Sequence, residues 1–322
     1  WFRRIRTHSD SSVKTVRICL AVLACIASQW AVAATTIFTA IGDQPYYSTS
    51  DFSALIEKIN QDQKSSFTIH VGDIKNGSTV CSDERFLLVK NLFDTFEKPL
   101  IYTPGDNEWT DCHRKSNGSY EQRERLAKLR ELFFTSAQSQ GQHPMRLQRQ
   151  SELMPAFKDF VENSRWKKND LVFATLHQVG SNNNLDAKVP GAIEEYQQRN
   201  AANMAWLRNT FAYAKQQRAR AIIIAMQSDI FDSRLPPETG YHDFITTIAE
   251  LAQKNRVPIL MIQGDSHDYV VDQPIKNDQG QTIDNILRLI VPGANLIEAV
   301  QVTVRTEQRK VRDVFTFNRY GF

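Results

Sequence analysis

Six short apolar runs rich in β-branched residues, spaced by longer segments of helical periodicity, restrict this chain more than any other feature of its sequence. The runs are 36–41, 67–71, 100–103, 171–176, 221–225 and 259–262. Runs of this length and composition read as strands buried on both faces. Between them, 51–61 places Phe52, Leu55, Ile56 and Ile59 on one helical face, and 194–218 does the same with Met204, Leu207, Phe211 and Tyr213. Strand and helix in alternation predict an α/β fold. The tail changes character. Segments 286–291, 297–305 and 311–318 are separated by Pro292-Gly293 and by the polar turn Glu307-Gln308-Arg309-Lys310, and read as consecutive antiparallel strands. The Gln/Ser/Arg-rich segment 135–170 reads as a surface insertion with short helices or as a mobile cap.

The 322 residues are 41% hydrophobic and 23% charged, enough apolar material for a large core and too ordinary for a collagen-like, coiled-coil or mostly disordered chain. The formal charge of +3 is misleading, because residues 1–34 carry five basic residues (Arg3, Arg4, Arg6, Lys14, Arg17) against Asp10. Taking these from the totals of 39 and 36 leaves 34 basic and 35 acidic residues, so the rest of the chain is near neutral and no nucleic-acid partner is expected. The basic start, the apolar run Ile18–Ala27 and the small residues Ala31-Val32-Ala33-Ala34 read as a secretory leader cut after Ala33 or Ala34. An uncleaved anchor is the alternative, and Val22-Leu23-Ala24-Cys25 is a weaker lipoprotein-type box. The expectation is a signal peptide over 1–34, a single domain over 35–322 and an exported, periplasmic or secreted protein with no membrane span once the leader is gone. Cys81 and Cys112 are the only cysteines after the leader; an oxidising compartment favours a disulfide between them over two free buried thiols.

Four of the 13 glycines are followed by Asp, and each pair closes an apolar run: Gly42-Asp43, Gly72-Asp73, Gly105-Asp106 and Gly264-Asp265. One such pair is usually only a turn. Four at successive strand ends point to the ligand crevice of an α/β sheet, at the carboxyl ends of its strands. Four carboxylates gathered there repel one another without cations, and His267 and Gln227 add donors at neighbouring strand ends. Two cations sharing one carboxylate suit phosphoester hydrolysis, in which water attacks phosphorus in line with the leaving oxygen.

Asp43, Gly72-Asp73-Ile74, Gly105-Asp106-Asn107-Glu108, Gln227 and Gly264-Asp265-Ser266-His267 follow the order and spacing of the calcineurin-like metallophosphoesterases, and the chain resembles that superfamily over nearly its whole length after the leader. The resemblance implies a four-layer α/β/β/α sandwich of the metallo-dependent phosphatase type with two divalent metals. By it, Asp43 and His267 serve the first metal, Asp73 bridges, and Asp106 replaces the usual Asn ligand of the second. Gln227 and Asp265 stand where the family has histidines, which shifts the donor set toward oxygen and favours Mg, Mn or Ca over Zn or Fe. It also implies a small phosphorylated substrate and sets Cys81 and Cys112 on adjoining loops at the rim of the site.

Two departures bear on catalysis. Pro45 occupies the position of the first-motif His, with Gln44 and Tyr46 as nearby substitutes, and Asn107 occupies that of the His that protonates the leaving group. His113 and His177 are the candidates for a relocated acid, although a lone histidine is more often structural or merely exposed. Lys75 and Arg114 lie near enough to the motifs to bind phosphate, His70 reads as a satisfied core residue, and Ser181-Asn182-Asn183-Asn184 as a polar turn. The sequence thus predicts an exported metal-dependent phosphoesterase, with a catalytically degenerate binding or structural protein on the same fold as the alternative. Nucleophile-elbow, dinucleotide-binding and P-loop signatures are absent from it.

Overall fold

The computed structural model describes residues 1–3 and 35–321. The predicted leader lies outside the described residues apart from 1–3. No helix among the described residues is long and apolar enough to cross a membrane.

Two mixed sheets pack face to face with helices on both outer sides. The first has the order β12-β11-β1-β2-β3, from Phe315–Gly321, Glu298–Val304, Thr36–Ile41, Thr68–His70 and Leu100–Tyr102. The second runs β4-β5-β6-β7-β8-β10-β9, from Gln148–Arg149, Ser164–Lys168, Leu171–Thr175, Ala221–Ala225, Ile259–Gln263, Ile286–Ile290 and Val270–Asp272. In the first, β1, β2 and β3 are parallel, with Ile41 opposite His70 and His70 opposite Tyr102. In the second, β6, β7, β8 and β10 are parallel.

Alternation along the strands sends side chains to two different cores. Phe38, Ile69 and Val302 meet Phe173, Ile223, Leu260 and Leu289 between the sheets. The alternate residues on the second sheet, Val172, Ile222, Ile224 and Met261, pack under α4 (Ala192–Gln216) and α5 (His242–Asn255). On the first sheet, Ile41, Leu100 and Tyr102 pack under α1 (Thr49–Gln61), α2 (Asp83–Phe93) and α3 (Gln122–Phe133). The result is a four-layer α/β/β/α sandwich. Ser48 and Ser82 cap α1 and α2 by accepting from the backbone N–H groups of Asp51 and Arg85. Arg85 in turn donates to the carbonyls of Pro45 and Ile74, tying α2 to the loops after β1 and β2.

Two expectations are corrected. Segment 286–291 does not pair with its successor: β10 joins the second sheet beside β8, and Pro292-Gly293 carries the chain across to the first, where β11 pairs antiparallel with both β1 and β12. Segment 135–170 is neither cap nor insertion. Besides the expected short helices at Gln150–Leu153 and Pro155–Phe157, it supplies the edge strand β4 and its neighbour β5, and its Leu147 and Trp166 are buried in the inter-sheet core. Polar neighbours hid the strand β5: Ser164 and Arg165 are buried beside Trp166, Arg165 with its guanidinium over the Trp206 and Tyr213 rings, and only Lys167 and Lys168 are exposed.

Candidate metal centre

The loops after β1, β2 and β3 deliver Asp43, Asp73 and Asp106, and the loop after β8 delivers Asp265 and His267, so both sheets contribute to one cluster. Asp43, Asp73 and His267 present ligand atoms within 4.8 Å of one another, and Asp73, Asp106 and Asp265 form a second such group sharing Asp73. Asp43, Asp73, Asp265 and His267 adopt positive φ of 54°, 57°, 73° and 65°. Such left-handed conformations are costly for L-residues, least so for Asp, and turn the side chains inward instead of along the strand. The glycines before these aspartates are required by close approach. A Cβ on Gly105 falls 2.0 Å from Asp73 Oδ1, and one on Gly264 falls 2.5 Å from Asp43 Oδ2.

A hydrogen-bonded frame orients the bridging carboxylate. Asp73 Oδ2 accepts from Tyr46 Oη at 2.8 Å and from Asn107 Nδ2 at 2.7 Å, and Asp73 Oδ1 from the Asn107 backbone at 3.2 Å. Tyr46 Oη also lies 3.1 Å from His267 Nε2 and 3.4 Å from Asp43 Oδ1. It therefore stands inside the first triad, in the place that Pro45 leaves without a ligand. The backbone N–H of Asp265 donates to Asp43 at 3.0 Å. Beneath, Glu108 accepts from the N–H groups of Asp73 and Gly105 and from Tyr102 Oη, at 3.1, 2.7 and 2.8 Å, clamping the second and third loops. His70 does the same for the first two. Its Nδ1 accepts from Gly72 N–H at 3.1 Å, so Nε2 carries the proton and donates to the Gln44 carbonyl at 2.8 Å. Cys81 and Cys112 form a disulfide, and both sulfurs lie against the Asn107 carbonyl.

The cluster is electrostatically frustrated. Burial raises the Asp73 carboxyl well above its usual range, and the charges of Asp106, Glu108, Asp43 and Asp265 add to it. Asp265 and Asp43 are raised by burial too, with Asp106 contributing to both. Asp111 is pushed up to about 8, by burial and then Asp106, against the pull of Arg114. Burial lowers His267, and Arg234 lowers it further. Asp106 Oδ1 is buried without a hydrogen-bond partner, an acceptor aimed into the second triad. Buried carboxylates in mutual repulsion, one imidazole and an orphaned oxygen fit divalent cations of the Mg or Mn type.

Six predicted residues thus fall in or beside one centre, while others do not reach it. Gln227 is buried beside Gly105, but its Oε1 accepts from Gly180 N–H. Reversing the amide would set donor against donor, so its oxygen faces that turn. His113 is exposed, with Nδ1 2.7 Å from the Thr110 carbonyl, outside the cavity over the cluster. His177 is fully buried against Trp109 and 3.8 Å from Glu162, and is likewise absent from the cavity wall. Asn107 does line it. Lys75 is buried and donates to the carbonyls of Asn107 and Asn76, which makes it a brace of the third loop. The cavity wall adds residues that sequence reasoning missed: Asp111, Asp232 and Arg234. Asp111 was findable as an acid between Trp109 and Cys112; the 232–234 loop carries no pattern.

No family model and no curated protein sequence matches the chain. Among solved structures it is similar to GAP50, the anchor in the inner membrane complex of Plasmodium, with a TM-score of 0.49 and 12% identity over 89% of each chain. It is also similar to purple acid phosphatase PPD1 from yellow lupin (Lupinus luteus) seeds, with a TM-score of 0.48 and 11% identity over 88% of this chain and 54% of that one. Likenesses this distant say nothing about what the chain acts on.

Proposed function

We propose that the protein is a metal-dependent phosphoesterase, with Asp43, Asp73 and His267 holding one divalent cation and Asp73, Asp106 and Asp265 a second. The observation that carries this reading is the pair of ligand groups sharing Asp73, each with its donors within 4.8 Å. Two bound cations supply the charge that activates water and neutralises a phosphoryl oxygen. The residues of the chain do the rest. Asn107 and Tyr46 hold Asp73 in the bridging orientation, and Tyr46 Oη offers a further oxygen to the first cation. Glu108 and His70 fix the distances between the three loops that carry the ligands. Asn107, an amide, donates hydrogen bonds but no proton, so protonation of the leaving oxygen does not fall to it. Export, with the disulfide as its structural correlate, is part of the same proposal.

The test is hydrolysis of p-nitrophenyl phosphate, whose leaving group needs no acid, by metal-stripped protein with and without added Mn or Mg. Cation-dependent turnover that Asp73→Asn reduces at least about 100-fold, as expected for loss of a shared ligand, supports the reading. Bound cations without turnover on any phosphate ester would leave a binding protein on this fold.

A further inference from the structure

Above the carboxylate cluster opens a cavity of about 500 Å³, within the range of small-molecule sites and larger than a single phosphoryl group requires. Two of its walls carry arginines. Arg114 pairs with Asp111 at 2.5 Å and donates to Ser181 Oγ at 3.3 Å; that hydroxyl donates to Asp106 at 2.6 Å, which sets Arg114 on the Asp106 side. Arg234 donates through Nε to both oxygens of Asp232 at 2.9 and 2.8 Å, and its charge is felt by Asp265 and His267 on the other side. Each guanidinium keeps donors beyond those its own carboxylate uses.

The Arg114 wall is built at a conformational cost. Residues 181–184 all have positive φ, 47°, 53°, 56° and 60°, a left-handed turn that isolated L-residues avoid. Asn183 pins it: its N–H donates to Tyr241 Oη at 3.1 Å, its Nδ2 to the Gly240 carbonyl at 3.0 Å, and its carbonyl accepts from Arg199 at 3.0 Å. The turn holds Ser181 between Asp106 and Asp111. A second observation concerns proton donors. Outside the ligand cluster no histidine among the described residues lines the cavity, Asp111 there is ion-paired with Arg114, and Asn107 is an amide that gives up no proton.

From these two observations we propose that the cavity takes a substrate with two linked phosphoryl groups, one over the cluster and the other between Arg114 and Arg234, and that the bond broken is a phosphoanhydride. This rests on the phosphoesterase reading and narrows it. With pyrophosphate as the simplest case, a new P–O bond forms to the water oxygen and the bridging P–O bond breaks. Its electron pair stays on the departing phosphate, which takes up one water proton, so that pyrophosphate and water give two orthophosphates. When the departing phosphoryl group already carries a proton or an ester, as in monohydrogen pyrophosphate, it leaves as a dianion whose conjugate acid has a pKa of about 6 and needs no protonation in the transition state, whereas an alkoxide is nearly as basic as hydroxide, whose conjugate acid has a pKa of about 15.7. The missing acid and the two arginines are then one design: guanidinium charge replaces a proton on the leaving side.

The experiment compares kcat/KM for pyrophosphate, glycerol phosphate and p-nitrophenyl phosphate on the Mn-loaded wild type, Arg114→Gln and Arg234→Gln. In parallel, calorimetry measures binding of methylenediphosphonate and methylphosphonate, which are not hydrolysed. Expected are a pyrophosphate preference of at least about 100-fold over glycerol phosphate, and a fall of about 10-fold in the pyrophosphate to p-nitrophenyl phosphate ratio in each variant. The diphosphonate is expected to bind about 10-fold or more tightly than the monophosphonate, an advantage both variants lose. Turnover of all three substrates with no diphosphonate advantage, or variants that change every substrate alike, overturns the inference while leaving the phosphoesterase reading intact. Diphosphonate discrimination without turnover of anything sinks that reading and keeps the recognition of paired phosphoryl groups.

Discussion

Replacing His70 by Phe tests whether the ligand loops are set by one buried imidazole. The ring is fully buried among Phe52, Phe93 and Tyr102, so Phe fills a similar space and removes only the two hydrogen bonds. The Gln44 carbonyl and the Gly72 N–H are then left without their partner, at about 1–3 kcal/mol each, so the variant is expected to be about 2–6 kcal/mol less stable at pH 7. The titration of the same ring gives a second, signed expectation. Burial lowers His70 to about 4 from 6.5. Its contribution is therefore complete above pH 6.5 and is lost as pH falls toward 4, because the unfolded chain takes up a proton that the fold refuses. At about 1.36 kcal/mol per pH unit, that loss reaches about 3 kcal/mol, and only the wild type suffers it. Urea unfolding of both proteins at pH 7, 6, 5 and 4 measures the gap between them, in which the titrations of the site carboxylates largely cancel. A gap that narrows by about 3 kcal/mol toward pH 4 supports the argument. A variant as stable as the wild type at pH 7, or a gap constant with pH, refutes it.

Other consequences are open to simpler assays. Gly105→Ala sets a Cβ 2.0 Å from Asp73 Oδ1, so Mn affinity measured by calorimetry is expected to fall at least about 10-fold, in line with disturbance of a ligand's support. Reducing Cys81–Cys112, which are separated by 31 residues, is expected to cost about 3–4 kcal/mol of stability by chain entropy, read as a lower urea midpoint in dithiothreitol. Because Asp43, Asp73 and Asp265 are all raised by burial, the cation-free fold holds extra protons and loses stability as pH rises through their elevated range. Cation binding must then release protons and tighten with pH; calorimetry in buffers of differing ionisation enthalpy reads that release, and its absence would show the carboxylates already ionised. Gln227→Ala frees the Gly180 N–H and is expected to weaken the Ser181 turn while leaving the number of bound cations unchanged.

Much of this was legible in the sequence because it depended on local patterning. Short β-branched runs became strands within a residue or two of the expected bounds, and the Gly-Asp tips were readable because each glycine is crowded, Gly105 and Gly264 by carboxylates, Gly42 by Val71 and Gly72 by the backbone of Gly105, a constraint that forces residue type. His70, read as a satisfied core residue, is one. Contacts set by tertiary placement were not legible. Trp166 sits in a polar stretch because its neighbour Arg165 is buried through stacking on Trp206 and Tyr213, which a polar residue type does not announce, and β10 and β11 read as neighbours because spacing along the chain says nothing of which sheet a strand enters. His113 was selected for nearness to the third motif and His177 because it ends the 171–176 run; the first projects to solvent and the second is turned to Trp109 and Glu162. Arg234 reaches the cavity from a loop without any pattern, and only the fold brings it there.

The central claim, two cation sites sharing Asp73, is tested most directly by titrating metal-stripped protein with Mn and following free Mn by electron paramagnetic resonance. The account predicts two bound ions per chain, both weakened by Asp73→Asn, with Asp43→Asn and Asp265→Asn each weakening mainly one. No bound Mn at millimolar concentration, or binding indifferent to Asp73, would contradict it.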